Sequence, residues 1–303
     1  MNFFKNAIVY RMTRDIQISA EQLEEALKTL AFTPCSSQDM SRAGWVSPLG
    51  NHGQMLTHVA GNQILLCIKK EEKILPSTVI KEALQEKIEK LESEQGRKLK
   101  KTEKATLKDE VIHSLLPRAF SKYSQTQIWI DLDKQRIIVD ASSSKRAENS
   151  LALLRKTIGS LPVIPLHTEQ PVELTLTEWV RNNDAPSGFM LHDEAELKTV
   201  LEEGGIAKFK KQDLSSDEIA IHIEAGKHVT QLSMEWKERI NFTLTDSFML
   251  KKISLSDVLK EHNDDIHHDD YDQRFDADFI LFTGEFSVLI DELVSALGGE
   301  SKA

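Results

Sequence analysis

The stretch QIWIDLDKQRIIVDAS (127–142) predicts a β-hairpin, because two runs rich in isoleucine and valine flank a short polar connection. A helical stripe of leucines and isoleucine follows over residues 151–158. Toward the N-terminus, apolar runs at 54–60 and 63–69 flank Gly61-Asn62 and predict another hairpin. Hairpins that alternate with helices are typical of an α+β fold.

The C-terminal half continues in the same style. After a short helix around Trp179, strands are predicted near 206–211, 218–224, 228–236, 240–245 and 248–253, and helices near 256–261 and 285–297. The connections at Glu238-Arg239 and Asp246-Ser247 are too short for parallel crossovers, so antiparallel pairing is expected. The whole chain is therefore expected to be an α+β protein of antiparallel sheets with packed helices.

Between the hairpins the pattern changes to two amphipathic helices, over 78–94 and around 107–116. They predict a helical hairpin whose arms would each reach about 20–25 Å, long enough to project from a compact body. The expected domains are an N-terminal α+β domain (1–76 with 124–168), the helical arm (77–123) and a C-terminal α+β domain (169–303).

The charge of the chain is segregated. The net charge is −10, which by itself disfavours binding to a polyanion. However, residues 95–122 hold eight bases against three acids, whereas residues 261–278 hold eight acids against one base. Such a distribution gives the molecule a basic face, which permits binding to phosphates in spite of the net charge.

Two basic clusters are candidates for phosphate contacts. The first comprises Arg97, Lys98, Lys100, Lys101 and Lys104 at the connection between the two helices, with Arg118 beyond them. The second comprises Lys208, Lys210, Lys211 and the adjacent Gln212. The alternatives are a solvated pair of charged helices for the first cluster and an edge strand protected by lysines for the second. In that strand Phe209 should point away from Lys208 and Lys210.

Phe120 lies in the segment PRAFSK (117–122), between two bases and after a helix-ending proline. A large apolar residue in such a loop is either an anchor in the core or an exposed knob for a partner chain or a nucleobase. The sequence leaves both interpretations open.

The best case for an enzyme is the segment 262–272, where His262, His267 and His268 lie among aspartates. Imidazole and carboxylate groups are the ligands of hydrolytic metal sites, but these residues lie on one predicted loop without the spacing of a rigid site. Nucleotide-binding glycine motifs and nucleophile motifs are absent, and Cys35 and Cys67 have no metal-ligand spacing. We therefore expect neither catalysis nor a cofactor or metal. No segment is apolar enough to predict a membrane span, and a cytoplasmic protein is expected.

Several segments resemble the RdgC family of recombination-associated proteins. They are FKNAIVYR at the start, AGWVSPLG (43–50), LLPRAFSKYS (115–124), IWIDLDKQRIIVDASSSKRAE from 128, GSLPVIPL, GFMLHDEAELK, KFKKQDLSSDEIAIHIEAGKHVTQL and DADFILFTGEF. They follow one another along nearly the whole chain.

The resemblance implies a ring-shaped homodimer with a positively charged hole, which binds double- and single-stranded DNA regardless of sequence and antagonises RecA-promoted recombination. It implies a nucleoid-associated protein in which Phe120 helps to latch the helical arm as a gate. Lys211, Gln212, Arg97, Arg118 and Lys227 fall at positions similar to DNA-facing residues of the family. Two rival functions remain open: a metal-dependent nuclease or phosphohydrolase using residues 262–272, and a protein-binding adaptor.

Overall fold

The structure is a computed structural model that describes residues 3–14, 18–200, 204–261 and 271–301. The chain divides into two compact units. Unit 1 comprises Met1–Ala26, Ser47–Cys67 and Thr126–Ala303, and unit 2 comprises Leu27–Val46 and Ile68–Gln125. The division into three domains stays a prediction.

The strands, numbered along the chain, are β1 (Ala7–Met12), β2 (Ser41–Val46), β3 (Thr57–Ala60), β4 (Gln63–Ile74), β5 (Phe120–Asp131), β6 (Arg136–Val139), β7 (Val163–Pro165), β8 (Phe189–Thr199), β9 (Ile206–Lys210), β10 (Lys227–Trp236), β11 (Ile240–Thr245) and β12 (Met249–Leu255). The helices are α1 (Ala20–Lys28), α2 (Ser77–Gln95), α3 (Lys101–Leu115), α4 (Ser144–Ile158), α5 (Val172–Asn182), α6 (Asp217–Glu224), α7 (Asp257–Glu261) and α8 (Tyr271–Ala296).

Unit 1 is built on one antiparallel sheet. Its strand order is β5-β6-β1-β12-β11-β10-β8-β9, with β7 also paired to β1 and β3 paired to β4. The two hairpins predicted around Gly61-Asn62 and within 127–142 are present as β3-β4 and β5-β6. The α+β class and the antiparallel pairing are therefore confirmed.

The core of unit 1 contains an aromatic stripe along α8. Phe275, Phe279, Phe282 and Phe286 recur at intervals of four, three and four residues, so they lie on one face of the helix, and all four are buried. Phe3 contacts the first three of these rings, with centroids 5.1–5.7 Å apart. This stripe holds α8 in the main hydrophobic core with residues of the sheet.

The predicted strand at 218–224 is wrong, because these residues form α6. The alternation in IAIHI resembles a half-buried strand, but Ile219 and Ile223 are buried while Ile221 is 62 % exposed. Burial at positions four residues apart is the helical period. Asp217 and Glu218 in the first turn also favour a helix.

Two other differences concern β8 and α8. β8 was not among the predicted strands, and its alternation is broken where β10 shifts register between Leu232 and Met234. There Asp193 is exposed at a position where alternation would place a buried residue. The last helix begins at Tyr271 rather than near 285, because the phenylalanine stripe continues through an acidic stretch that reads as polar in the sequence.

Unit 2 contains β2, the outer portions of β4 and β5, and the helices α2 and α3 at the predicted positions. The two helices pack on each other around Ile88, Leu99 and Leu107. That they project as an arm stays a prediction. Among the described residues, no helix has both the length and the apolar character needed to cross a membrane.

Candidate nucleic-acid interface

The connection between α2 and α3 is a short turn tied by two glutamates. Gly96 ends α2 with a φ of +63°, which glycine adopts without a steric penalty. The N–H of Leu99 donates to Glu92 over 2.9 Å, and the N–H of Lys100 donates to Glu103 over 2.7 Å. These bonds fix the backbone from which the predicted cations extend.

The same glutamates already engage two of the predicted cations. Arg97 donates to the two carboxylate oxygens of Glu103 over 2.9 and 2.7 Å, and Lys104 Nζ lies 3.4 Å from Glu92. The hydrogen bond from Arg97 lowers the pKa of Glu103 to about 2. A phosphate that binds either cation competes with a carboxylate for it, and the two ion pairs link the turn to α2 and α3.

The remaining lysines of the connection are differently placed. In the part of the chain that the structure describes, no carboxylate lies within 4 Å of the ammonium groups of Lys98, Lys100 and Lys101. All three extend from neighbouring positions of one turn, at or close to the first residue of α3. They are the cations of this cluster that no described carboxylate contacts directly, although Glu92 attracts Lys98 and Glu103 attracts Lys100 at longer range.

Arg118 and Phe120 follow the end of α3. Arg118 closes a single 3-10 turn (Leu116–Arg118), and Phe120 is the first residue of β5. The side chain of Phe120 is 84 % exposed. The interpretation of Phe120 as an anchor in the protomer core is therefore wrong, and the exposed-knob interpretation fits the structure.

The second cluster lies in unit 1 on β9, which is the last strand of the sheet among the described residues. Lys208 and Lys210 are exposed, whereas Phe209 is partly buried against the core, as the alternation predicts. Lys208 donates to Glu196 over 2.8 Å. Since β9 is an edge strand, protection of that edge by lysines also fits the structure.

The other predicted residues of this region are held near α6. Gln212 donates to Glu218 over 2.7 Å, and Lys227 Nζ lies 2.9 Å from His222 Nδ1. Lys211, between β9 and α6, has a φ of +53°, an uncommon conformation for a side-chain-bearing residue. The structure thus pairs Gln212 and Lys227 with α6, while Lys208 and Lys210 line a pocket on the sheet.

Sequence reasoning missed the partners of the β9 lysines. Glu194, Glu196 and Lys198 belong to β8, and Lys252 belongs to β12. Lys198 and Lys208 both contact Glu196, at 3.1 and 2.8 Å. In HDEAELK (192–198), ionisable residues recur at every second position and therefore lie on one face of a strand. This pattern identifies the partners once 189–199 is assigned as a strand.

The rival metal site falls mostly outside the described residues, which resume at Tyr271 with α8. Within the described ranges, no group of three or more histidine, cysteine, aspartate or glutamate side chains could hold a metal ion. Cys67 is buried, and burial raises the pKa of its thiol to about 12, which makes it a poor nucleophile.

Similarity to known proteins extends over the whole chain. Three relatives bear the name recombination-associated protein RdgC: those of Proteus mirabilis (strain HI4320), Yersinia enterocolitica (serotype O:8 / biotype 1B) and Yersinia pestis (strain Pestoides F). They are 63, 60 and 59 % identical to this chain over 302 residues, and each alignment covers 100 % of both sequences. These full-length matches place the chain among recombination-associated proteins.

A family described as "Putative exonuclease, RdgC" matches residues 2–300. The chain belongs to the RdgC family, and the resemblance found in the sequence is confirmed. The description of the family names a nuclease, whereas the relatives are named for recombination and not for an enzymatic activity.

Proposed function

We propose that this chain binds DNA without regard to sequence, encircles it as a homodimeric ring and antagonises RecA-promoted recombination. In this proposal it acts by occupying DNA in the nucleoid and needs no catalysis and no cofactor. Full-length similarity to recombination-associated proteins supports an action on DNA.

The observation that carries the proposal is the group of three lysines, Lys98, Lys100 and Lys101, on one turn. Their charges converge on a short segment, and no described carboxylate neutralises them within 4 Å. Binding that reads no bases needs only cations that reach phosphates. The proposed DNA-facing set is Arg97, Lys98, Lys100, Lys101, Lys104, Arg118, Lys208, Lys210, Lys211, Gln212 and Lys227.

Phe120 supports the proposed gate. Phe120 is 84 % exposed, so covering its aromatic ring with a second protein surface would lower the free energy of the complex. A contact between two copies of the chain at Phe120 would close the ring on one side. In this proposal residues 77–123 form the arm that carries the gate.

The test removes the three lysines together as Lys98→Ala, Lys100→Ala and Lys101→Ala. DNA affinity should fall, and the slope of log affinity against log salt should flatten by about 0.9 for each phosphate that the variant no longer neutralises. The measurement is fluorescence anisotropy of a labelled duplex and a labelled single strand across a series of salt concentrations.

The matched control removes the same charge at exposed lysines elsewhere, as Lys5→Ala, Lys145→Ala and Lys156→Ala. If both triple variants lose affinity equally, net charge and not the connection accounts for binding. If neither loses affinity, the connection does not contact DNA. A strong preference of the wild-type protein for one base sequence would contradict binding without sequence recognition.

The same samples also test the two alternative functions, a nuclease and a protein-binding adaptor. The family description favours testing for an exonuclease, so labelled DNA is incubated with Mg²⁺ or Mn²⁺ and inspected for progressive shortening. Shortening would replace the non-catalytic proposal by a metal-dependent nuclease. Absence of any DNA binding would favour a protein-binding adaptor.

A further inference from the structure

Over β8 to β12, the sheet of unit 1 packs one face into the main core and leaves the opposite face partly open. Along β11, Ile240, Phe242 and Leu244 point into the core, so Asn241 and Thr243 point to the opposite face. On that open face, β8, β9, β10, β11 and β12 together line a pocket of about 210 Å³. Lys208 and Lys210 belong to the second predicted cluster, whereas the sequence did not single out Glu194, Thr243 or Lys252.

The pocket is rich in charge and carries an excess of cations. It is lined by Lys208, Lys210 and Lys252 and by two carboxylates, Glu194 and Glu196. A fourth lysine, at position 198, lies 3.1 Å from the second of these carboxylates. The three lining lysines against two lining glutamates leave an excess of one positive charge, which favours an anion over a cation as the occupant.

The two glutamates are not equivalent. Glu196 is 8 % exposed; burial opposes its ionisation, yet the hydrogen bonds from Lys208 and Lys198 keep its pKa below the usual value. Glu194 is more exposed and accepts a hydrogen bond from Lys252 over 2.5 Å. An incoming anion can therefore replace Glu194 more easily than Glu196.

Lys252 reaches the pocket from an irregular part of β12. Its backbone φ is +51°, and the pairing of β11 with β12 shifts register beside it. A bulge of this kind changes the direction of a side chain, and a lysine rarely adopts a positive φ. Backbone strain that the fold maintains at a lysine marks a candidate for a functional position.

Thr243 supplies an independent observation. It lines the pocket, its side chain is 7 % exposed, and its hydroxyl has no hydrogen-bond partner among the described residues. Buried hydroxyls normally have a hydrogen-bond partner. A hydroxyl without one in the wall of the pocket therefore indicates that a ligand binds there. The hydroxyl oxygen is itself shielded from solvent, so it would donate to a phosphate oxygen once the side chain rotates towards the pocket.

We propose that this pocket binds one phosphate group, with Lys208, Lys210 and Lys252 as its cations. The Thr243 hydroxyl donates to the phosphate, and Glu194 is the carboxylate that the phosphate displaces from Lys252. If the proposed function holds, the phosphate is a phosphodiester of the DNA backbone. A free phosphate or a nucleotide presents the same chemistry, and the experiment separates these sources.

The first test replaces Thr243 by valine, which has the same shape but no hydroxyl. Because the hydroxyl has no partner, Thr243→Val should leave the melting temperature unchanged or raise it, while the affinity for a short single-stranded oligonucleotide falls several-fold. The matched control is Thr245→Val. The hydroxyl of Thr245 accepts from the N–H of Met249, so this variant should melt at a lower temperature and keep its DNA affinity.

The second test replaces the displaceable carboxylate. Glu194→Gln should raise affinity for the oligonucleotide several-fold, because Lys252 is then free for the phosphate. Glu169→Gln removes the same charge from an exposed position of unit 1 outside the proposed DNA-facing set and should change affinity far less. Equal effects of the two variants would mean that only net charge matters and would overturn the site.

The third measurement uses inorganic phosphate as the probe. Chemical-shift changes of the Thr243 and Lys252 amides on its addition, absent in Thr243→Val, would show a site for free phosphate. Changes with the oligonucleotide alone would assign the site to the DNA backbone.

Three outcomes separate failure of the pocket from failure of the proposed function. If wild-type protein binds DNA, yet neither probe shifts these amides and both variants bind as the wild type does, the pocket is not a phosphate site although the proposed function stands. If wild-type protein binds no DNA, the proposed function fails, and the phosphate titration still tests the pocket. Broadening by Mn²⁺ that Glu194→Gln abolishes would overturn the proposal in favour of a cation site.

Discussion

Replacing Phe120 by alanine separates the stability of the protomer from closure of the proposed ring. The side chain is 84 % exposed, so about 16 % of its surface is covered within the protomer. A phenylalanine buries roughly 150–250 Å² when fully enclosed, so the covered area is about 30 Å². At roughly 25 cal/mol per Å², truncation should cost the protomer about 0.8 kcal/mol.

The contrast with a core phenylalanine is large. Truncating a buried phenylalanine costs about 3–5 kcal/mol, and Phe279, with an exposure of 0 %, is the matched control. For a chain of this size, 1 kcal/mol shifts the melting temperature by roughly 2–4 °C. Phe120→Ala should therefore melt within about 3 °C of the wild type, whereas Phe279→Ala should melt far lower or fail to fold. Circular dichroism at low protein concentration measures both.

The ring is tested by retention on DNA circles after a salt challenge. If Phe120 is a hot spot of the gate that is worth about 2 kcal/mol, its loss should speed release from closed circles by about 30-fold. Release from linear DNA should change less, because the phosphate contacts are intact. Val258→Ala, at another exposed apolar residue, should release like the wild type. If Phe120→Ala leaves circles as slowly as the wild type does, Phe120 is not a latch. If the variant melts at a much lower temperature, Phe120 is not exposed in the protomer.

Two further predictions concern α6 and the turn after α2. Ile219→Ala should cost about 2–5 kcal/mol of unfolding free energy and Ile221→Ala less than about 0.5, measured by urea denaturation, whereas a strand would make the two costs similar. Glu103 has a folded-state pKa of about 2, below its ordinary value of 4.5, so it stabilises the turn above pH 4.5 and this contribution is lost as the pH falls from 4.5 to 2. Glu103→Gln should therefore speed amide exchange in the turn at pH 6 but not near pH 2. Glu110→Gln is the control. Amide protection at pH 6 equal in Glu103→Gln and the wild type would contradict the role of the ion pair with Arg97.

The fold class and most elements follow from local patterns in the sequence. Hairpins with short connections restrict pairing to antiparallel, and the boundaries of β11 agree with the predicted range of 240–245. The prediction failed at 218–224. There IAIHI has the alternation of a strand, but over so few residues that tertiary packing decides between strand and helix. It also failed at β8, where a register shift breaks the alternation on which recognition of a strand depends.

The cations of the candidate site were predictable, but their partners were not. Arg97 and Lys98 are adjacent in sequence and identical in charge, yet Arg97 is held by Glu103 whereas Lys98 has no described carboxylate within 4 Å. The difference arises from the turn, which directs one side chain back toward α3. Lys252 could not be found at all, because its approach to β8 depends on an irregular backbone position and on a strand that was not assigned.

The pairing of lysines with glutamates changes how the net charge of −10 bears on DNA binding. A lysine such as Lys208, which contacts Glu196, does not present a free charge; it exchanges one anion for another when a phosphate arrives. Such an exchange leaves a carboxylate beside the phosphate, so like-charge repulsion offsets part of the attraction. Lys98, which no described carboxylate contacts within 4 Å, bears less of this cost because Glu92 attracts it only at longer range. If the proposed function holds, nonspecific affinity should depend most on such cations, while each paired cation should exchange between a phosphate and its own carboxylate.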